Sequence, residues 1–296
     1  MADLPSTELA PLDRLSGLLE RFRVQVQLFH AGALCGLTHF DASEGFGYLH
    51  VLRRGELTVT HPGAKQVPGL PARQHYSEPT LLLYPAPITH RFHNPPIEGA
   101  DFTCARLRFH GGAAHPLAMA MPSLIAVPLD QVSGLAPALG LLFDETERVQ
   151  CGQRLLADRL FEVVLIQLLR WLLDHPQASG VQAGLMQGLG DPRLARALVA
   201  LHDEPGGAWS LERMAACAGM SRTVFAHTFR EVVGQTPADY LMGWRMAIAQ
   251  SRLREGWPIK QLADELGYAN PSALSRAFAA RVGLSPRDWL AQQQSA

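Results

Sequence analysis

Leu211-Glu212-Arg213-Met214-Ala215-Ala216-Cys217-Ala218-Gly219 returns 48 residues later as Ile259-Lys260-Gln261-Leu262-Ala263-Asp264-Glu265-Leu266-Gly267. Past each glycine the echo continues at a spacing of 49, with Phe229, Gly234, Pro237 and Tyr240 recurring as Phe278, Gly283, Pro286 and Trp289. Self-similarity of this kind means one supersecondary unit used twice. Ala215 precedes Gly219 by four residues, as Ala263 precedes Gly267. A small residue lets two helices cross closely, and the glycine permits a left-handed turn between them. Each unit therefore reads as helix, tight turn, helix, over about residues 210–232 and 259–282.

The flanking residues supply the helix ends. Ser210 is positioned to cap the first helix of the first unit, although Arg213 stands where a full capping box has Glu. Ser221 then caps a helix from Arg222 to Val232. Its period places Val224, Phe225, Thr228/Phe229 and Val232 inward, leaving Arg222, Thr223, Ala226, His227 and Arg230 outward. In the second unit Asn270 is the cap and Pro271 takes the first helical position. There Leu274, Phe278 and Val282 point inward, with Ser272, Ala273, Ser275 and Arg276 outward. Between the units, Ala238 to Arg254 reads as one helix, long enough at about 25 Å to hold the two outward faces near one DNA turn apart, ~34 Å.

Two such units joined by a long helix, each followed by Gly-x-(Thr/Ser)-Pro-x-x-(Tyr/Trp), resemble the DNA-binding domain of AraC/XylS-type transcription regulators. The resemblance covers about residues 190–292. It implies that Thr223, Ala226 and His227, then Ser272, Ala273 and Arg276, face base edges. Arg276 suits a bidentate contact to guanine. Arg222, Arg230 and Lys260 are expected on phosphates, which set register without reading sequence.

Upstream, short strand-like runs (24–30, 33–40, 48–52, 56–60, 80–84 and 102–109) follow a helix expected over 12–21, with Gly and Pro in the gaps. Such spacing predicts an antiparallel sandwich or jelly roll. Pro85-Ala86-Pro87-Ile88-Thr89-His90-Arg91-Phe92-His93-Asn94 resembles the second cupin motif, Pro-x-Gly-x-x-His-x-x-x-Asn, with Pro87 in the glycine's place. His90 matches that motif's metal ligand. The first motif lacks its His-x-His and Glu, so only His50 and Glu44 are left to join His90, of which His50 and His90 are the metal candidates, and no metal or cofactor is expected. The other histidines are read as solvated loops and strand ends. A signal-sensing pocket is expected around His50, Arg53, Tyr84, His90 and Arg106. Two alternatives stand beside it: a cupin metalloenzyme fused to a DNA-binding module, and a thiol sensor using Cys35 or Cys104, which fall within expected strands.

From Leu135 to Leu173 the apolar period becomes helical, with Leu156, Leu160, Val163/Val164, Gln167/Leu168 and Trp171/Leu172 on one stripe. The cover is either the chain's own barrel, with the helix folded back on it, or a second copy of the chain. The second copy is the expected one, since a reader of two half-sites benefits from two-fold symmetry. The expected organisation is α+β and multidomain: a cupin-like antiparallel β-barrel sensor with flanking helices over 1–130, a helical dimerisation region over 131–176, a linker over 177–189, and an all-α double helix-turn-helix domain over 190–296.

Global charge excludes little: 26 Lys+Arg balance 27 Asp+Glu, and residues 191–296 carry 12 basic and 10 acidic side chains. Only Lys65 and Lys260 are lysines, so most cationic contacts fall to arginine forks. No stretch is long and apolar enough to span a bilayer, and the amino terminus lacks a signal-peptide pattern. The expected protein is cytoplasmic and binds double-stranded promoter DNA, RNA polymerase and a small-molecule effector as a homodimer without membrane contact. Activation rather than repression is the expected outcome. No Ser/His/Asp set, P-loop or dinucleotide motif suggests catalysis.

Overall fold

The computed structural model describes residues 12–95, 99–110, 115–176 and 183–295. Residues 177–182 of the expected linker lie outside that set. The first helix is shorter than expected, α1 (Ser16–Arg21). The strands after it, β1 (Val24–Leu34), β2 (Gly36–Phe40), β3 (Gly47–Arg54), β4 (Leu57–Thr60), β5 (Arg73–Tyr76), β6 (Thr80–Tyr84), β7 (His90–Asn94), β8 (Ala100–Phe109) and β9 (Ile125–Pro128), form two antiparallel sheets. Five strands run in the order β1-β8-β3-β6-β9, and four in the order β2-β7-β4-β5. The cupin-like sandwich expected from the sequence is therefore present. β5, β7 and β9 were not among the expected strands, because Arg73–Tyr76 is polar and β7 lies inside the segment read as a motif.

β3 shows why alternation is hard to see in this sheet. Six consecutive residues from Gly47 to Leu52 are buried. Tyr48, His50 and Leu52 point toward the four-stranded sheet, with Leu82, Tyr84, Phe102 and Cys104 beside them. Leu49 and Val51, with Leu81, Leu83, Ala105 and Leu107, belong instead to a second core that continues into the helices. Both faces of the strand are covered, so both alternating sets are apolar or aromatic.

That cover is α2 (Pro116–Ala120), α3 (Leu135–Glu147) and α4 (Gln153–Asp174). The helical period expected over 135–173 is carried by two helices, the second beginning where Gly152 takes a φ of 79°. The expected stripe of α4 is likewise divided. Phe161, Val164, Leu168 and Leu172 are buried on the chain's own barrel, whereas Leu156 and Val163 are 48% and 41% exposed. The helix folds back on its barrel, and a narrower strip of Leu141, Leu155, Leu156 and Val163 remains uncovered.

The C-terminal region begins inside the span expected as linker, with α5 (Leu185–Gly190), whose leucines are buried. Asp191 caps α6 (Pro192–Asp203) by accepting from the backbone N–H groups of Arg193 and Leu194. Then follow α7 (Leu211–Cys217), α8 (Arg222–Val233), α9 (Pro237–Arg254), α10 (Ile259–Glu265), α11 (Pro271–Val282) and α12 (Pro286–Ser295). This is the repeat made physical: α7–α8 and α10–α11 are the two units, with α9 between. A ladder of rings ties barrel to readers, running from Phe109 through His115, Phe22, Trp244, His202 and Tyr240 to Phe229 on α8. Arg21 adds a 3.4 Å ion pair to Glu265.

Candidate nucleic-acid interface and barrel interior

In each unit the turn glycine is left-handed, with φ of 63° at Gly219 and 72° at Gly267. Met220 N–H and Tyr268 N–H donate back to Ala215 and Ala263 carbonyls at 2.9 and 2.8 Å, closing the turn that aims the next helix. Ser221 Oγ accepts from Val224 N–H, and Asn270 Oδ1 accepts from Ala273 N–H. Phe225, Phe229 and Val233 of α8 are buried, as are Leu274 and Phe278 of α11. These residues fix the rotation of each helix about its axis, and with it the outward face.

On α8 that face presents Arg222, Thr223, His227 and Arg230, as expected. Ala226 is half-buried and lines a groove with Trp209, Leu211, Met214 and Leu241. Val224 departs from expectation: it is 49% exposed rather than inward. With Phe225 and Phe229 centring the buried stripe, the preceding residue lies about 100° round the helix. On α11, Ser272 and Arg276 are exposed while Ala273 and Ser275 are half-buried.

The cations divide by occupation. Arg222 is paired with Glu212 of α7, whose carboxyl is held below its usual range by backbone and Ser210 hydrogen bonds and by Arg222. His227 Nδ1 lies 3.2 Å from Glu231. Among the described residues the side chains of Arg230, Lys260 and Arg276 have no hydrogen-bond or ion-pair partner. An unpaired guanidinium on an exposed helix face retains its full fork of donors for a nucleic acid.

The barrel interior gathers three of the five expected pocket residues. His50, Tyr84 and His90 meet there, stacked and edge-on with Phe40, Tyr48 and Phe92. His90 Nδ1–H donates to Ile88 O at 2.7 Å, which leaves its Nε2 to accept from His50 Nε2–H at 3.0 Å. His50 Nδ1 is then a bare acceptor, buried and unpartnered. Burial pushes His90 down to about 3 and His50 well below its ordinary value, with the neighbouring imidazoles adding to the shift, so both rings are neutral.

Arg106 stands at the rim, 2.9 Å from Glu44, over the rings of Phe29 and Phe46. Tyr48 donates to the same carboxylate at 3.2 Å, and burial, then Glu44, raises its phenol to about 12. Sequence reading missed Tyr48, although it stands two positions before His50 on one face of a strand. Arg53 is misplaced in the expected pocket. It sits outside the barrel, paired with Asp101 and Glu147 across Phe143 of α3.

The two alternatives fare differently from the sensor reading. Among the described residues no three His, Cys, Asp or Glu side chains converge as metal donors, and His50 and His90 spend their facing nitrogens on each other. Cys104 is fully buried with its thiol pushed well up by burial, the reverse of a reactive thiolate. Cys35 is exposed at the turn between β1 and β2 rather than within a strand. Because Leu34 pairs with Ala100 and His30 with Cys104, Cys35 stands five register positions from Cys104, ~16 Å along the strands and beyond disulfide reach. Of the histidines read as solvated loops and strand ends, His61 and His115 are instead buried.

Comparison with known proteins agrees with this geometry. Residues 13–174 match the family described as Cupin, and residues 214–292 the one described as Helix-turn-helix domain. An AraC-like transcription regulator of Streptomyces antibioticus is 34% identical over 172 residues, 57% of this chain and 56% of that protein. The HTH-type transcriptional regulator AlkR of Acinetobacter baylyi is 33% identical over 204 residues, 67% of this chain and 64% of its own. The matches thus span a little over half the length of these relatives. Among solved structures, the DNA-binding domain of AdpA in complex with a target DNA is 31% identical, with a TM-score of 0.32, covering 36% of this chain and 95% of that one.

Proposed function

The chain belongs to the AraC-type regulators that join a cupin to a C-terminal helix-turn-helix domain, and on that premise we propose that it reads promoter DNA with α8 and α11 under control of its barrel. The observation that carries this is the pair of capped helices, placed by a repeated core, with unpaired cations on their outward faces. Thr223, Ala226 and His227 contact one half-site; Ser272, Ala273 and Arg276 contact the other. Arg230 and Lys260 neutralise phosphates, and Arg222 joins them when Glu212 releases it. α9, at 18 residues, is about 27 Å long, which suits successive major grooves on one face of the duplex.

The signal enters through the barrel. Its interior offers an aromatic box with one bare acceptor, His50 Nδ1, and a cationic rim at Arg106, a setting for a small, largely apolar molecule carrying a hydrogen-bond donor. The uncovered strip on α3 and α4 takes a second copy of the chain, and the DNA-bound dimer recruits RNA polymerase and activates transcription from the cytoplasm. The test of the reading is Arg276→Ala in the full chain, assayed on duplexes substituted one base pair at a time. The expected loss is roughly 1–3 kcal/mol, confined to one guanine position. Equal weakening on every duplex would place Arg276 on the backbone instead.

A further inference from the structure

The register of the internal repeat identifies a reading residue that periodicity alone hides. Phe225, Phe229 and Val233 of α8 hold the places of Leu274, Phe278 and Val282 of α11, each 49 residues on. The caps obey the same offset: Ser221 with Asn270 at the start, Gly234 with Gly283 at the end. In this register Thr223 matches Ser272 and His227 matches Arg276. Ala273 is matched by Val224, while Ala226 answers to Ser275.

Val224 lies in the first turn of α8, its N–H capped by Ser221. It is the one exposed large apolar side chain on either reading helix among the described residues. The fold gives it no reason to be valine, since a β-branched residue is a poorer helix former than alanine at an exposed site. A helix-turn-helix meets base edges with the N-terminal residues of its second helix, and that is where Val224 stands, between Thr223 and His227. The apolar feature that the major groove displays is the C5 methyl of thymine.

We propose that Val224 is a specificity-determining residue, packing its methyl groups against the C5 methyl of one thymine in the half-site of α8. The assignment rests on the DNA-reading function proposed above. It gives the first unit a reading mode of its own. α8 recognises methyl surface beside a histidine contact, where α11 uses a guanidinium.

Duplexes enriched from a randomised library by the full-length wild-type chain supply the probe. Each thymine of an enriched duplex is replaced singly by deoxyuridine, which lacks only the C5 methyl. One replacement in the α8 half-site is expected to weaken wild-type binding about three- to tenfold, as loss of one buried methyl implies. The same replacement leaves Val224→Ser binding unchanged, and Val224→Thr, with one methyl kept, falls between. Val224→Ser continues to select the α11 half-site, which reports that the variant is folded. If wild type binds its enriched duplex and no deoxyuridine weakens it, or if Val224→Ser is as sensitive as wild type, the assignment is overturned while DNA reading stands. If wild type enriches no duplex, the DNA-reading function falls and the assignment with it.

Discussion

Buried histidines give this protein a pH-dependent stability that its sequence composition does not announce. Burial pushes His90 and His202 to about 3 and His115 to about 4. Each is neutral in the fold and satisfied as such: His115 Nε2 bonds Phe22 O at 3.0 Å, and His202 Nε2 bonds the Tyr240 hydroxyl. Their folded values lie below the unfolded value near 6.5. The unfolded chain therefore takes up protons first, so stability is intact above about pH 6.5 and declines as pH falls below it toward the folded values. At pH 5 each histidine costs about 2 kcal/mol. The urea midpoint is expected to fall steeply between pH 7 and pH 5, with a shallower slope in His202→Phe. A midpoint flat over that range would contradict the account. The sequence showed many histidines in the N-terminal half without showing which were inside. His50 and His90 were picked out by motif, but His115 and His202 needed the tertiary partners that bury them.

At the scale of elements, the two turn glycines look equivalent in sequence and are not so in space. Gly219 has open space where a Cβ would stand, so only its left-handed φ resists substitution. Gly267 has the same φ, and a Cβ there would collide with the backbone of Gly206. Gly219→Ala is expected to cost about 1 kcal/mol for the positive φ. Gly267→Ala is expected to cost more than twice that, since two backbones must separate; equal losses in thermal unfolding would refute the contact. The repeat made both helix-turn-helix units legible because caps, glycines and core positions recur together. α4 was less legible. Its apolar residues are too many for one face, and sequence period cannot divide a barrel-facing stripe of Phe161, Val164 and Leu168 from an uncovered strip of Leu155, Leu156 and Val163. That strip carries the dimer proposal: Val163→Glu is expected to shift the full chain from dimer to monomer in sedimentation, and an unaltered mass would remove the strip from the interface.

Across the whole molecule, sensor and reader share one apolar core rather than meeting through a few surface contacts. α1 inserts between them, with Phe22 5.0 Å from Trp244 and Arg14 bonded to both Asp174 and the Leu189 carbonyl. The cupin sandwich was foreseen from strand spacing and the Pro85–Asn94 motif, whereas this junction was not. It is made by single rings, Phe22 just after α1, His202 of α6 and Trp244 of α9, which carry no periodic signal. The central claim is that one chain reads DNA at two points through unequal helices. Hydroxyl-radical footprinting of the full-length chain on its enriched duplex tests it most directly. The account predicts, for each bound subunit, two protected tracts about 10 base pairs apart on one face of the duplex, with Arg276→Ala weakening one tract and Val224→Ser the other. A single protected tract for each subunit, or one tract weakened by both substitutions, would contradict it.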